Sequence, residues 1–203
     1  MKSIELTLQR TVKFCAAGIP LGCLAVSASS VFAQILPDAS LPNNSTIDLE
    51  GQIQRITGGT TTGGNLFHSF EDFSVRTGET AFFDNALTID NIITRITGGQ
   101  ISNIDGLIRA NGSASLFLLN PNGIVFGSNA ALEIGGSFLG STADRFLFED
   151  GTVFSATEPQ ATPLLSINVP IGLHFGNAPS QIVNRSQTTA LRPSPDPTAP
   201  GLI

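Results

Sequence analysis

The sequence predicts an all-β fold of stacked short strands, a β-solenoid or a sandwich, and three observations carry that prediction. From Ile89 onward short apolar runs arrive regularly, among them Ile104–Ile108, Leu116–Leu119, Ile124–Phe126, Ala130–Ile134 and Phe146–Phe148, and glycine, asparagine or aspartate separates nearly every pair. Short strands about 4.8 Å apart, with inner side chains in dry ladders, need this pattern because each turn must round several corners in few residues. Helical spacing holds for three turns nowhere after Ala33. The composition, 21 Gly, 12 Pro and 14 Phe with no Trp or Tyr in 203 residues, favours strands and turns, and the length allows one domain with a real core.

Residues 1–33 read as a secretory signal peptide: Lys2, Arg10 and Lys13 form a basic region, Phe14–Val26 an apolar one, and Val31-Phe32-Ala33 a small-residue cleavage site. Cleavage is expected between Ala33 and Gln34, with Val26-Ser27-Ala28 as an earlier alternative. Gly18, Pro20 and Gly22 interrupt the apolar run, which falls short of the roughly 20 residues a membrane span needs. Both cysteines, Cys15 and Cys23, lie in this leader, so no disulfide or thiolate metal site is expected in the exported chain. Leu21-Gly22-Cys23 resembles a lipoprotein processing site only weakly, because Pro20 is a poor neighbour and Leu24-Ala25-Val26 continues the apolar region. Export would leave seven arginines, no lysine and fifteen carboxylates, a balance that argues against nucleic acid or an anionic membrane surface as partner.

In the exported chain, 34–44 is turn-rich, with Pro37 and Pro42, and leads to a first strand at Thr46–Leu49. Ile53-Gln54-Arg55-Ile56-Thr57-Gly58-Gly59 recurs as Ile93-Thr94-Arg95-Ile96-Thr97-Gly98-Gly99 forty positions on, which would be two turns of about twenty residues. Between the echoes, Leu66–Val75 shows no clean alternation; a bulge near Ser69–Asp72 would bring its phenylalanines onto one face. Arg76-Thr77-Gly78-Glu79 reads as a turn before Ala81-Phe82-Phe83. The phenylalanines, bracketed by Ile, Leu or Val, are expected in the core rather than on a glycan-stacking surface. The domain is expected to occupy 34–180, and 181–203, with Pro193, Pro195, Pro197 and Pro200, reads as a proline-rich tail or linker.

The stretch that organises the chain is Asn120-Pro121-Asn122-Gly123-Ile124, a breaker between Leu116–Leu119 and Ile124–Phe126 in which proline fixes φ and Asn-Gly accepts φ > 0. Pro121 sits where a hairpin strand would need a donor, so a corner joining strands of different sheets fits better than a hairpin. Four blocks in order carry a resemblance: Asn65–Val75, Ile92–Gly99, the stretch Gly112–Ala130 around Asn120–Ile124, and Leu164–Gly176. They resemble the secretion domain of filamentous haemagglutinin-type exoproteins, the passengers of two-partner secretion.

That resemblance implies a right-handed parallel β-helix with short extra-helical strands behind the signal peptide. It also implies a monomeric protein exported by the Sec machinery and recognised by the periplasmic domains of an outer-membrane β-barrel transporter. The destination is the medium or the cell surface, reached via the periplasm. Asn120, Pro121, Asn122, Gly123 and Ile124 are the residues expected to serve transporter recognition, folding, or both. The family's second, earlier Asn-Pro motif has no clean copy, and Asp84-Asn85-Ala86-Leu87 is the nearest stretch. The alternative function is an adhesin that binds cell-surface glycans; a β-helix polysaccharide-active enzyme is the third.

No catalytic signature supports the enzyme reading. His68 and His174 stand alone, no Gly-x-Ser-x-Gly, phosphate loop or His-Glu-x-x-His occurs, and no cofactor is expected. Asn103-x-Asp105-Gly106 imitates part of a calcium loop, but Ile101 and Gly112 occupy the first and twelfth ligand positions. Asp84, Asp90 and Asp105 are the carboxylates that a β-helix hydrolase would have to converge on one face.

Overall fold

The computed structural model describes residues 35–159 and 165–187; the leader, the cleavage site at Ala33 and Gln34, and both cysteines lie outside them. Every regular element there is a strand: β1 (Ile35–Pro37), β2 (Ser45–Glu50), β3 (Ile53–Gly58), β4 (Thr60–Thr62), β5 (Asn65–Phe73), β6 (Thr80–Phe83), β7 (Asn91–Ile96), β8 (Ser102–Ile104), β9 (Leu107–Ala110), β10 (Ser115–Leu119), β11 (Ile124–Phe126), β12 (Ala131–Glu133), β13 (Phe138–Ser141), β14 (Arg145–Phe148), β15 (Val153–Ser155), β16 (Pro170–His174) and β17 (Ile182–Asn184).

From β5 onward the chain coils through three faces in a fixed order. Face one stacks β5, β7, β10 and β13; face two stacks β8, β11 and β17 above a bridge from Val75 to Ile104; face three stacks β3, β6, β9 and β12. Within each face the pairing is parallel. The result is a β-solenoid of about three turns. One turn is longer than the echo suggests: Ile53 pairs with Thr80, Asn65 with Asn91, and Ser102 with Ile124, steps of 27, 26 and 22 residues. The echo at forty positions therefore does not mark a repeat, since β3 lies on face three and β7 on face one.

One end of the coil is capped. β1 runs antiparallel along β5, and β2 antiparallel along β3, so the first edges of faces one and three are covered. The strand expected at Thr46–Leu49 is present as β2, but it is not the first, because β1 precedes it inside the segment expected to be turn-rich. Pro37 does not prevent this because β1 is an outer strand, where a missing donor costs little. The expected bulge is present: Leu36 pairs with Asp72 and Pro37 with Phe70, leaving Glu71 as the extra residue. It places Phe70 and Phe73, three positions apart, in the same interior. The turn at Arg76–Glu79 closes with the Glu79 amide donating to the Arg76 carbonyl at 3.0 Å, and Gly78 supplies φ 80°.

The coil interior is a set of side-chain columns. Leu66, Ile92, Leu116 and Phe138 stack on face one, Ile56, Phe83 and Ala110 on face three, and Val75, Ile104 and Phe126 on face two. Burial of each large member contributes roughly 1.5–3 kcal/mol. A second apolar layer lies outside the coil. The outward residues Phe67, Ile93 and Leu119 of face one are covered by Phe146, Phe148 and Phe154 of the antiparallel sheet β15-β14-β16, which is inserted between β13 and β17. Face one is thus apolar on both sides, which is why Leu66–Val75 shows no alternation. After this excursion the chain returns as β17, parallel to β11, so the segment read as tail contributes a strand to the coil. Three residues without flanking periodicity gave no sign of it.

Candidate functional site: the Asn120–Ile124 corner

β10 ends at Leu119 on face one and β11 begins at Ile124 on face two, so Asn120-Pro121-Asn122-Gly123 is a corner between sheets, as its proline suggested. The Gly123 amide donates to the Asn120 carbonyl at 3.1 Å, and the Asn122 amide to Asn120 Oδ1 at 2.9 Å. Pro121 takes the second turn position, where its fixed φ fits. Within the Asn-Gly pair it is Gly123 that adopts positive φ, 123°, and Asn122 does not. A Cβ at Gly123 would also lie 3.2 Å from the Gln181 carbonyl, a tight approach, but it is the positive φ that favours glycine there.

The asparagine side chains face inward. Asn120 is fully buried, and its amide donates to the Gln100 carbonyl at 3.0 Å and to Ser102 Oγ at 2.8 Å. Asn122 is half-buried and donates to the Gly98 carbonyl at 2.6 Å. Both therefore fasten the corner to the turn below, while the Asn120 amide bonds up to Ser141 and the Ile124 amide to Gln181. Gly98 itself packs against the carbonyl of Glu71 one turn lower and has no room for a side chain.

Other corners use the same device, and sequence reasoning missed them. Asn111 is held from the turn below: its backbone amide donates to Asn85 Oδ1 at 2.9 Å and its side chain to Asp84 Oδ1 at 2.8 Å. Asn85, in the stretch nearest to the absent Asn-Pro motif, is buried in that contact. Asn91 donates to Asn65 Oδ1 at 2.9 Å, and Asn65 holds the carbonyls of Ser166 and Asn168 at 3.0 and 2.7 Å. The signal was available as asparagines 26 residues apart, the length of one turn.

Two buried polar groups lie apart from the corners. Arg95 is fully buried on the outer side of face one, stacked 4.2 Å over Phe154 and donating to Ser69 Oγ, Ser40 Oγ and the Ser155 carbonyl. It ties cap, coil and outer sheet together, and burial lowers its pKa to about 10 against the opposing pull of Asp38. Burial alone would raise the Asp38 carboxyl, but hydrogen bonds from Ser40, Thr97 and Ser69 outweigh it and hold it below its ordinary value. His68 lies inside the coil, its Nδ1 2.9 Å from Ser45 Oγ and its ring between those of Phe70 and Phe83. Nε2 has no partner, and burial pushes the imidazole down to about 3.

The remaining sequence candidates are scattered. His174 is exposed, 3.9 Å from Asp144; Asp84 meets Arg55 and Asn111, and Asp105 meets Thr77 and Asn129. Among the described residues no three His, Cys, Asp or Glu side chains gather as metal ligands, and no helix is long and apolar enough to cross a membrane.

The fold and its corners define a class: a β-solenoid, capped at its first turn, whose bends are fastened turn to turn by asparagine. The family model of the TPS secretion domain matches residues 33–194, and the chain belongs to that family, the N-terminal domain of two-partner secretion exoproteins. Membership implies an exported protein with an outer-membrane transporter as partner, and the family is not one of enzymes. A search of curated proteins finds no match.

Proposed function

We propose that this domain targets its exoprotein for secretion: the chain reaches the periplasm through the Sec pathway, is read there by the periplasmic domains of its β-barrel transporter, and seeds the coil outside. The observation that carries this reading is the burial of Asn120. Once the corner is folded, the Asn120 side chain is engaged by the turn below and Ile124 is buried, so neither is offered to a partner. The transporter therefore meets Asn120–Ile124 in the extended chain, where free strand edges also invite β-augmentation. Folding withdraws Asn120 and Ile124, which favours release and one-way exit without nucleotide energy.

The test is to change Asn120→Ala and Asn122→Ala separately, co-express the cognate transporter, and compare secreted with periplasmic protein. Both variants are expected to accumulate in the periplasm. The isolated periplasmic domains should bind the urea-unfolded wild-type chain on dilution and ignore the prefolded one; equal binding of the two forms would defeat the reading. Glycan adhesion draws little support from the phenylalanines, because Phe67, Phe70, Phe73, Phe83, Phe146 and Phe154 are buried and Phe175, 48% exposed, is the one exposed ring among the described residues.

A further inference from the structure

Two asparagines in the chain precede glycine, Asn111 and Asn122, and both pairs lie at corners of the coil. Asn-Gly is the dipeptide most prone to succinimide formation, because glycine has no side chain to shield the backbone nitrogen that attacks. That nitrogen gives up its proton and bonds to the asparagine Cγ, the Cγ–Nδ2 bond breaks, and ammonia leaves. Water then opens the five-membered ring at either carbonyl and yields aspartate or isoaspartate. The reaction needs no enzyme, only a side chain free to swing over the next amide.

The fold denies that freedom at both corners. Gly123 is buried, and its amide proton is engaged by the Asn120 carbonyl at 3.1 Å. Asn122 Nδ2, the group that would leave, is held on the Gly98 carbonyl at 2.6 Å. At the other corner Asn111 Nδ2 is held by Asp84 Oδ1 at 2.8 Å and by the Asn85 carbonyl at 3.1 Å, and the Asn111 amide by Asn85 Oδ1 at 2.9 Å. Gly112 is exposed, so protection there rests on the clamped side chain.

Neither product suits the place it would have to fill. Aspartate at position 122 sets an acceptor against the Gly98 carbonyl where a donor stood. Aspartate at position 111 puts a second carboxylate beside Asp84. Isoaspartate adds a backbone carbon to a corner whose flanking strands are held in register. We propose that Asn111 and Asn122 are self-modification sites of the extended chain: a chain kept waiting unfolded converts them and loses the ability to close the two corners, whereas the folded coil is protected. The time the chain can stay unfolded and still fold is thereby limited by its own sequence. The biological setting rests on export in extended form; the chemistry is measured without a transporter.

Secreted chain held at mildly alkaline pH, one portion in urea and one folded, is sampled over days and mapped by peptide mass spectrometry. In urea Asn111 and Asn122 are expected to convert, with Asn91 and Asn103, each followed by isoleucine, as the slow controls. In the folded portion conversion at both sites should be slower by a factor of about ten or more, since it must await local opening. When the urea-aged chain is diluted into buffer and the folded fraction is isolated by its resistance to protease, that fraction should be depleted of modified chain. Equal conversion in the two portions overturns the proposal, as does a folded fraction as rich in modified chain as the remainder. Equal binding of folded and unfolded chain by the transporter's periplasmic domains would instead remove the export setting and leave the chemistry standing.

Discussion

Asn120→Ala removes one buried side chain and four hydrogen bonds. Asn120 donates to Gln100 and Ser102, and its Oδ1 accepts from the amide and the side chain of Asn122. The Gln100 residue is exposed and its carbonyl can turn to water, but the Ser102 hydroxyl is fully buried and would be left without its partner, a penalty of about 1–3 kcal/mol. Loosening of the turn at the Asn122 amide adds roughly 1 kcal/mol. The expected loss is therefore about 2–4 kcal/mol, a large share of the ~5–15 kcal/mol that a domain has. Equilibrium urea unfolding of the secreted chain measures it, with Asn120→Asp alongside. The aspartate keeps the shape and the acceptor for Asn122 but sets a carboxylate oxygen against the Gln100 carbonyl, so it should be no better than alanine. A loss under about 0.5 kcal/mol for alanine, or wild-type stability for aspartate, would refute the claim that the side-chain amide fastens the corner.

Acid should weaken the fold through His68. Its imidazole is near 3 when folded and 6.5 when free, so between these values the unfolded chain binds the proton and the folded one does not; stability falls as pH drops below 6.5, by about 2 kcal/mol at pH 5. Asp38, Asp105 and Asp150, all held below the ordinary carboxyl value, add losses only under about pH 4, and a His68→Leu variant should flatten the urea midpoint between pH 7 and 5. Arg95→Met should cost about 3 kcal/mol by leaving the buried Ser155 carbonyl without its donor and taking one donor from each of two serine hydroxyls that still bond Asp38, and Arg95→Lys should not restore it, because one ammonium cannot reproduce the planar fork; urea unfolding of both variants decides. Phe154→Ala removes the ring 5.2 Å from Phe67, at a cost of about 3–5 kcal/mol confined to the outer layer, so amide exchange should accelerate in β14 and not in β7.

The fold class and the central corner were legible because they are local: a proline and a glycine at fixed places between apolar runs state a corner without reference to anything distant. Leu66–Val75 defeated the alternation test because Phe67 faces one apolar layer and Phe70 the other, and the covering sheet lies some eighty residues downstream. Arg95 was invisible for the same reason. In sequence it is one charge in a strand, and its partners Ser40 and Ser155 are 55 and 60 positions away. The forty-residue echo misled because both Gly98 and Gly58 lack room for a side chain, yet only Gly58 takes a positive φ, 69°, and the two follow strands of different faces.

Those separations also order the folding of the chain. Corner bonds span 18 to 26 residues, as in Asn120 to Ser102, Asn122 to Gly98 and Asn111 to Asn85, whereas Asn65 reaches 101 and 103 residues to Ser166 and Asn168. Loop-closure entropy makes the longer clasp dearer by only about 1 kcal/mol, so entropy alone does not postpone it. Geometry does. The surface on which Phe146, Phe148 and Phe154 rest is made of Phe67, Ile93 and Leu119, one residue from each of three successive turns, and it does not exist until those turns are stacked. The outer sheet must therefore dock after the coil, and a chain emerging in extended form can add turn upon turn while that sheet is still unformed. Pulse-labelled exchange would show amides of β7 and β10 protected before those of β14; simultaneous protection would mean that the coil and its cover form as one unit.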